Sequence, residues 1–145
     1  MMRWITHLGG ARVTVGVGFV LIAAGGELRH TGLAALVANA VSHLAVQVLK
    51  RVVARPRPCD SLGRPLALVA LPDPFSFPSG HAAAATAVAL TVSLSWPVVA
   101  VPAVPLAALV AISRVTLRVH YPGDVLGGVG LGGLAAVGAH ALIAA

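Results

Sequence analysis

Five apolar runs constrain this chain more than any other feature. They lie at about Val13–Gly26, Thr31–Lys50, His81–Trp96, Pro97–Arg114 and Asp124–Ala145. The chain has 145 residues, enough for one domain and hardly two. Of these, 58% are hydrophobic and only 10% charged, against about 25% charged in an ordinary soluble domain. A soluble globule of this size lacks the interior to hide so much apolar surface. Disordered chains are poor in apolar residues, so disorder is excluded too. What remains is an all-α fold, a polytopic integral-membrane bundle of about five transmembrane helices. Residues 1–145 read as one membrane-embedded domain, without repeats or a dividing linker. The first run is short, at roughly 14 residues and about 21 Å, where a span wants about 20 residues. With positive residues before it, it also fits a signal-peptide core.

The net charge of +6 does not indicate a nucleic-acid partner, because the basic residues are few and sit between apolar runs. The single cysteine, Cys59, excludes an intrachain disulfide and a multi-cysteine metal site.

The long polar interval is Arg51–Gly80. Prolines at 56, 58, 65, 72, 74 and 78 preclude one continuous helix there. It reads as an ordered interfacial loop with a short helix across Leu66–Leu71. The second run ends where this loop starts, and the third begins where it stops, so both ends lie on one membrane face. Counting crossings onward, the fourth run ends on that face and the fifth starts there. Lys50–Arg57, Ser79–His81 and Arg114–Asp124 therefore converge on one surface.

Polar residues inside a membrane segment need a reason. Asn39, His43, Gln47 and Lys50 fall within one helix face about 80° wide. That stripe should face the bundle interior, either hydrogen-bonding between helices or supporting a site at Lys50.

Three constellations carry the chemistry. The basic stretch Lys50–Pro58 alone suggests anionic headgroups or topology signals. In Phe77-Pro78-Ser79-Gly80-His81, Ser79 can cap the next helix. Gly80 lets the backbone approach a ligand, and free amides at a helix start attract anions. In Ser113–Asp124, Asp124 can cap the last helix. It is also a suitable partner for His120, fixing the imidazole tautomer so that the other nitrogen can attack an electrophile. Together, three cations (Lys50, Arg57 and Arg114) and free amides describe a site for a phosphate dianion or its transition state. His81 and His120 supply a nucleophile and a general acid. No spare carboxylates are in place to hold a metal: Glu27 lies at the opposite surface, and Asp60 and Asp73 read as isolated in the loop.

These residues resemble the type 2 phosphatidic acid phosphatase family of membrane lipid phosphatases, which shares its core with vanadium-dependent haloperoxidases. Its motifs Lys-x6-Arg-Pro, Pro-Ser-Gly-His and Ser-Arg-x5-His-x3-Asp are complete at Lys50–Pro58, Pro78–His81 and Ser113–Asp124. They extend over about half the chain. The resemblance implies that His120 attacks phosphorus and forms a phosphohistidine, and that Asp124 orients and charge-stabilises it. His81 would protonate the leaving oxygen and then activate water. Lys50, Arg57, Ser79, Gly80 and Arg114 would hold the phosphate oxygens, with no metal and no cofactor. The substrate would be a lipid phosphate in the bilayer: a polyprenyl diphosphate, phosphatidic acid, phosphatidylglycerol phosphate or a prenyl-phosphoryl pentose phosphate. The family commonly has six spanning helices where five are counted here, the first being the one missing.

The resemblance implies an integral protein of the cell membrane. Excess arginine on the site face, including Arg3 and Arg12, places the site in the cytoplasm under the positive-inside rule, whereas many members of the family work on the outer face. Gly123, Gly127, Gly128 and Gly132 suit close packing of the last helix, or a homodimer seam. Trp4, Trp96 and Tyr121 read as interfacial anchors, and Arg51, Arg55 and Arg118 as headgroup or steering charges. The rival readings are a vanadate haloperoxidase, a non-catalytic lipid-phosphate binding or transport protein, and a small channel-like protein. Binding alone needs no nucleophile, and a channel does not explain three motifs on one face.

Overall fold

Helix boundaries follow the glycines and prolines that punctuate the apolar runs. The computed structural model describes residues 2–71 and 73–144. Met1, Pro72, Ala145 and the Arg3 side chain lie outside the described residues. A single turn, α1 (Met2–Ile5), leads through a 3-10 turn at Thr6–Gly9 into α2 (Ala11–Ala24). Then come α3 (Gly26–Val53), α4 (Gly80–Ser95), a 3-10 turn at Pro97–Val99, α5 (Ala100–Thr116) and α6 (Pro122–Ile143). Gly25, at φ 77°, breaks α2 from α3 in a conformation most side chains avoid. Pro122 opens α6 at its first position, where its missing N–H costs nothing.

The five expected runs are the five long helices. Gly26–Val53, Pro97–Thr116 and Pro122–Ile143 are long and apolar enough to cross a membrane, and α2 and α4 are shorter apolar helices. Helix α3 begins earlier than its apolar run, because Glu27, Arg29 and His30 continue the helix rather than break it. The expected helix at Leu66–Leu71 does not form. Its backbone donors are spent on distant carbonyls: Leu66 N–H on Pro58 O at 3.1 Å and Leu68 N–H on Leu117 O at 3.1 Å. The loop is instead folded back on itself, with bridges at Pro56–Phe75 and Cys59–Pro65.

Size sorts the residues more than polarity does. The buried interior is largely alanine, including Ala34, Ala35, Ala38, Ala82, Ala87 and Ala136. Large aliphatic residues point outward, Leu142 at 85% and Leu134 at 75% exposure. This suits lipid, where helices gain from close backbone approach rather than from hiding leucine. At Gly128 and Gly132 a Cβ would collide with the Ser79 and Ala83 carbonyls, so α6 lies directly on α4. Gly32 plays the same part between α3 and α2, against the Gly18 carbonyl. These glycines are consumed within the chain, while Gly123 is exposed. Far from the site, Trp96 Nε1 donates to Thr31 Oγ1 at 3.2 Å, and Ser95 contacts His140 at 3.3 Å. The start of α3 and the ends of α4 and α6 therefore share one end of the bundle, as the crossing count requires.

Candidate active site

At the other end, the last turn of α3 delivers Lys50, which is only 6% exposed. Its Nζ donates to Asp73 Oδ2 at 2.6 Å. Arg57 reaches the same carboxylate, with Nη2 3.1 Å from Asp73 Oδ1, while its Nε donates to Asp73 O at 2.8 Å. A third bond, Nη1 to Val119 O at 2.9 Å, ties it to the α5–α6 linker. Asp73 is thus not isolated, as its place in the loop suggested; it bridges the two cations of the first motif. Asp60 is likewise paired, with Arg64 at 2.7 Å. Burial works against the charge on Asp73. The Lys50 hydrogen bond and the Lys50 and Arg57 charges outweigh it, so its carboxyl sits below the ordinary carboxylate range.

Helix α4 begins at the second motif. Ser79 is its N-cap, accepting from Ala82 N–H at 3.5 Å, and is fully buried. It does not line the cavity wall, unlike Gly80 and His81. The cap uses the Ser79 hydroxyl as an acceptor and leaves its own proton, the donor expected for a phosphate oxygen, uncommitted.

The third motif differs from expectation in one contact. His120 Nδ1–H donates to the Ser76 carbonyl at 2.6 Å. Asp124 Oδ2 stands 3.8 Å from the same nitrogen, too far for a hydrogen bond. Asp124 is already occupied: Oδ2 accepts the Tyr121 N–H at 2.7 Å and Oδ1 accepts from Arg55 Nη1 at 2.9 Å. The Arg55 guanidinium also lies 4.3 Å from the centre of the Tyr121 ring. Arg55 is therefore a brace for Asp124 rather than a headgroup charge. Ser76, in turn, donates its hydroxyl to Pro56 O at 2.9 Å, fixing the loop that carries the accepting carbonyl. Burial, with the nearby Arg57 and Arg114 charges, pushes the His120 imidazole down to about 3, so it is neutral at physiological pH. Its Nδ1 proton is fixed by Ser76, leaving Nε2 with the free lone pair.

Arg114, near the end of α5, is 4% exposed. Its Nη1 donates to the Thr6 hydroxyl, so the N-terminal turn packs over the site. Its Nε is buried with no partner among the described residues. An orphan guanidinium donor at this depth is costly unless an anion meets it. Thr6, Asp73, Ser76 and Arg55 all escape motif reading, since none shows a spacing that names its partner.

Lys50, Arg57, Gly80, His81, Arg114 and His120 line one cavity of about 560 Å³. It continues between α2 and α3 past Gln47, His43 and Asn39 to Phe19 and Leu36. The polar stripe of α3 thus faces this cavity. Asn39 and Lys50 are buried at its two ends, Asn39 bonding Thr14 Oγ1 at 3.2 Å, whereas His43 is exposed.

A family model described as the PAP2 superfamily matches residues 31–145. The chain belongs to the PAP2 superfamily. Decaprenylphosphoryl-5-phosphoribose phosphatase of Mycobacterium tuberculosis is 43% identical over 105 residues, covering 68% of this chain and 52% of that protein. The Mycolicibacterium smegmatis protein of the same name is 41% identical over 121 residues, covering 77% and 62%. The chain thus spans between about half and three fifths of the length of these relatives. Among solved structures, the PAP2-type phosphatidylglycerolphosphate phosphatase of Bacillus subtilis superposes with a TM-score of 0.79 at 31% identity, over 97% of this chain and 74% of that one. Aquifex aeolicus LpxE gives 0.81 at 24% identity, over 95% and 82%, a likeness of fold.

Proposed function

We propose that this chain is an integral-membrane lipid phosphatase that works through a phosphohistidine on His120. The observation that carries the reading is a neutral, oriented imidazole sharing one cavity with three buried cations, one of which keeps an unpartnered donor. In the first step the Nε2 lone pair forms an N–P bond as the P–O ester bond breaks. His81 gives its proton to the leaving oxygen. In the second step His81 takes a proton from water, the water oxygen bonds phosphorus, and the N–P bond breaks to release phosphate. Lys50, Arg57, Arg114 and the free amide end at Gly80 hold the phosphoryl oxygens. These cations supply the charge neutralisation, so no step is routed through a metal. Asp124 acts at 3.8 Å through its charge, stabilising the imidazolium that forms, and through Arg55 it anchors the linker.

The relatives are named for decaprenylphosphoryl-5-phosphoribose and, in the Sulfolobus acidocaldarius protein at 32% identity, undecaprenyl diphosphate. A prenyl-linked phosphate is therefore the substrate class we favour, its tail lying between α2 and α3. Phosphate release by purified protein in detergent with EDTA tests the reading. The panel is a prenyl-phosphoryl pentose phosphate, a prenyl diphosphate, phosphatidic acid and phosphatidylglycerol phosphate. Release from a prenyl phosphate that disappears in His120→Ala is the expected result. Release that persists in that variant contradicts it.

A further inference from the structure

Beyond the cations, the cavity wall changes character in steps. Along α3, Gln47 lies about 4.5 Å and His43 about 10.5 Å below Lys50, at 1.5 Å per residue. Gln47 Nε2 and His43 Nε2 are 3.4 Å apart, a loose contact. Among the described residues, the Gln47 carbonyl, one of its N–H groups and His43 Nδ1 have no other partner. Deeper still, Asn39 is tied to Thr14, and the lining ends at Phe19 and Leu36. The order is cationic, then neutral and polar, then apolar.

We propose that Gln47 and His43 form a second subsite, which hydrogen-bonds a neutral hydroxylated group esterified to the cleaved phosphate. It selects lipids carrying a sugar-like spacer between that phosphate and the hydrocarbon. The inference rests on the phosphatase reading of the adjoining site and adds the substrate feature that the stripe recognises. Hydrocarbon starting directly at the phosphate ester would lie on the Gln47 amide and the His43 ring. At membrane depth no water compensates for that. Hydroxyl groups, which donate and accept, match an amide and an imidazole.

The test compares a prenyl-phosphoryl pentose 5-phosphate with a prenyl diphosphate of equal chain length. Both are presented to purified full-length protein, with thermal unfolding as the folding control. Wild type should favour the pentose phosphate. In Gln47→Leu and in His43→Leu, the ratio of the two kcat/KM values should fall about ten-fold, the worth of one or two hydrogen bonds. An unchanged ratio in folded variants overturns the subsite. A second arm measures equilibrium binding of both probes to His120→Ala, with and without Gln47→Leu. If wild type releases no phosphate from either probe, the phosphatase reading fails, and this arm alone decides the subsite. A selective loss of pentose-phosphate affinity supports it, and equal or absent losses overturn it.

Discussion

The two sides of α4 are built from similar small residues and end in opposite results. Toward α6, Gly128 and Gly132 bring backbones together until no side chain fits between them. Toward α2 and α3, the helices part around a cavity of about 560 Å³ lined by charged and polar groups. The closed side holds the catalytic candidates in register. Ser79 N–H donates to Asp124 O at 2.9 Å, joining the starts of α4 and α6. The open side leaves room for a ligand. Small residues in a membrane bundle therefore mark where backbones meet, and only the polar residues beside them say which side receives a substrate.

The comparison breaks most sharply at His120. His120→Ala should lower turnover by at least about a thousand-fold, the order seen when a nucleophile is removed, while leaving thermal unfolding near wild type. Turnover in the variant near the wild-type rate would take the nucleophile's role from it. On the closed side, Gly132→Val should act oppositely, forcing α6 off the Ala83 carbonyl and costing about 1–3 kcal/mol of stability. A calorimetric midpoint equal to wild type would show that the seam tolerates side chains. Asp73→Asn should tighten inhibition by vanadate several-fold, since it removes a carboxylate that competes for Lys50 and Arg57. Weaker inhibition would mean that Asp73 chiefly holds those cations in place.

The smallest effect concerns acid. The His120 pKa is depressed from 6.5 to about 3, so in that window the unfolded chain binds a proton that the folded one does not. Its contribution to stability is full above about 6.5 and is lost as pH falls toward 3. An NMR titration of the His120 ring in detergent should show no protonation at pH 5. A midpoint near 6.5 would contradict a buried, neutral imidazole.

Much of this was legible in the amino-acid order. Apolar run lengths announce helices because lipid leaves the backbone few other options. Odd and even crossings then bring Lys50, His81, Arg114 and His120 to one face. Partner choice was not legible. Arg55 meets Asp124 across 69 residues, and Arg114 meets Thr6 across 108. Such pairs depend on where a proline-rich loop and an N-terminal turn fold back, which no spacing encodes. Ser79 and Asp124 each offered two uses, as cap or as site residue. At both, the backbone donors of a helix start took the oxygen first, since those amides are always present and need partners.

The most direct measurement is a rapid acid-free quench of wild-type protein with a 32P-labelled prenyl phosphate, followed by peptide mapping. The account predicts alkali-stable, acid-labile label on the peptide carrying His120, and none in His120→Ala. Phosphate release without labelled enzyme, or label on the His81 peptide instead, would contradict it.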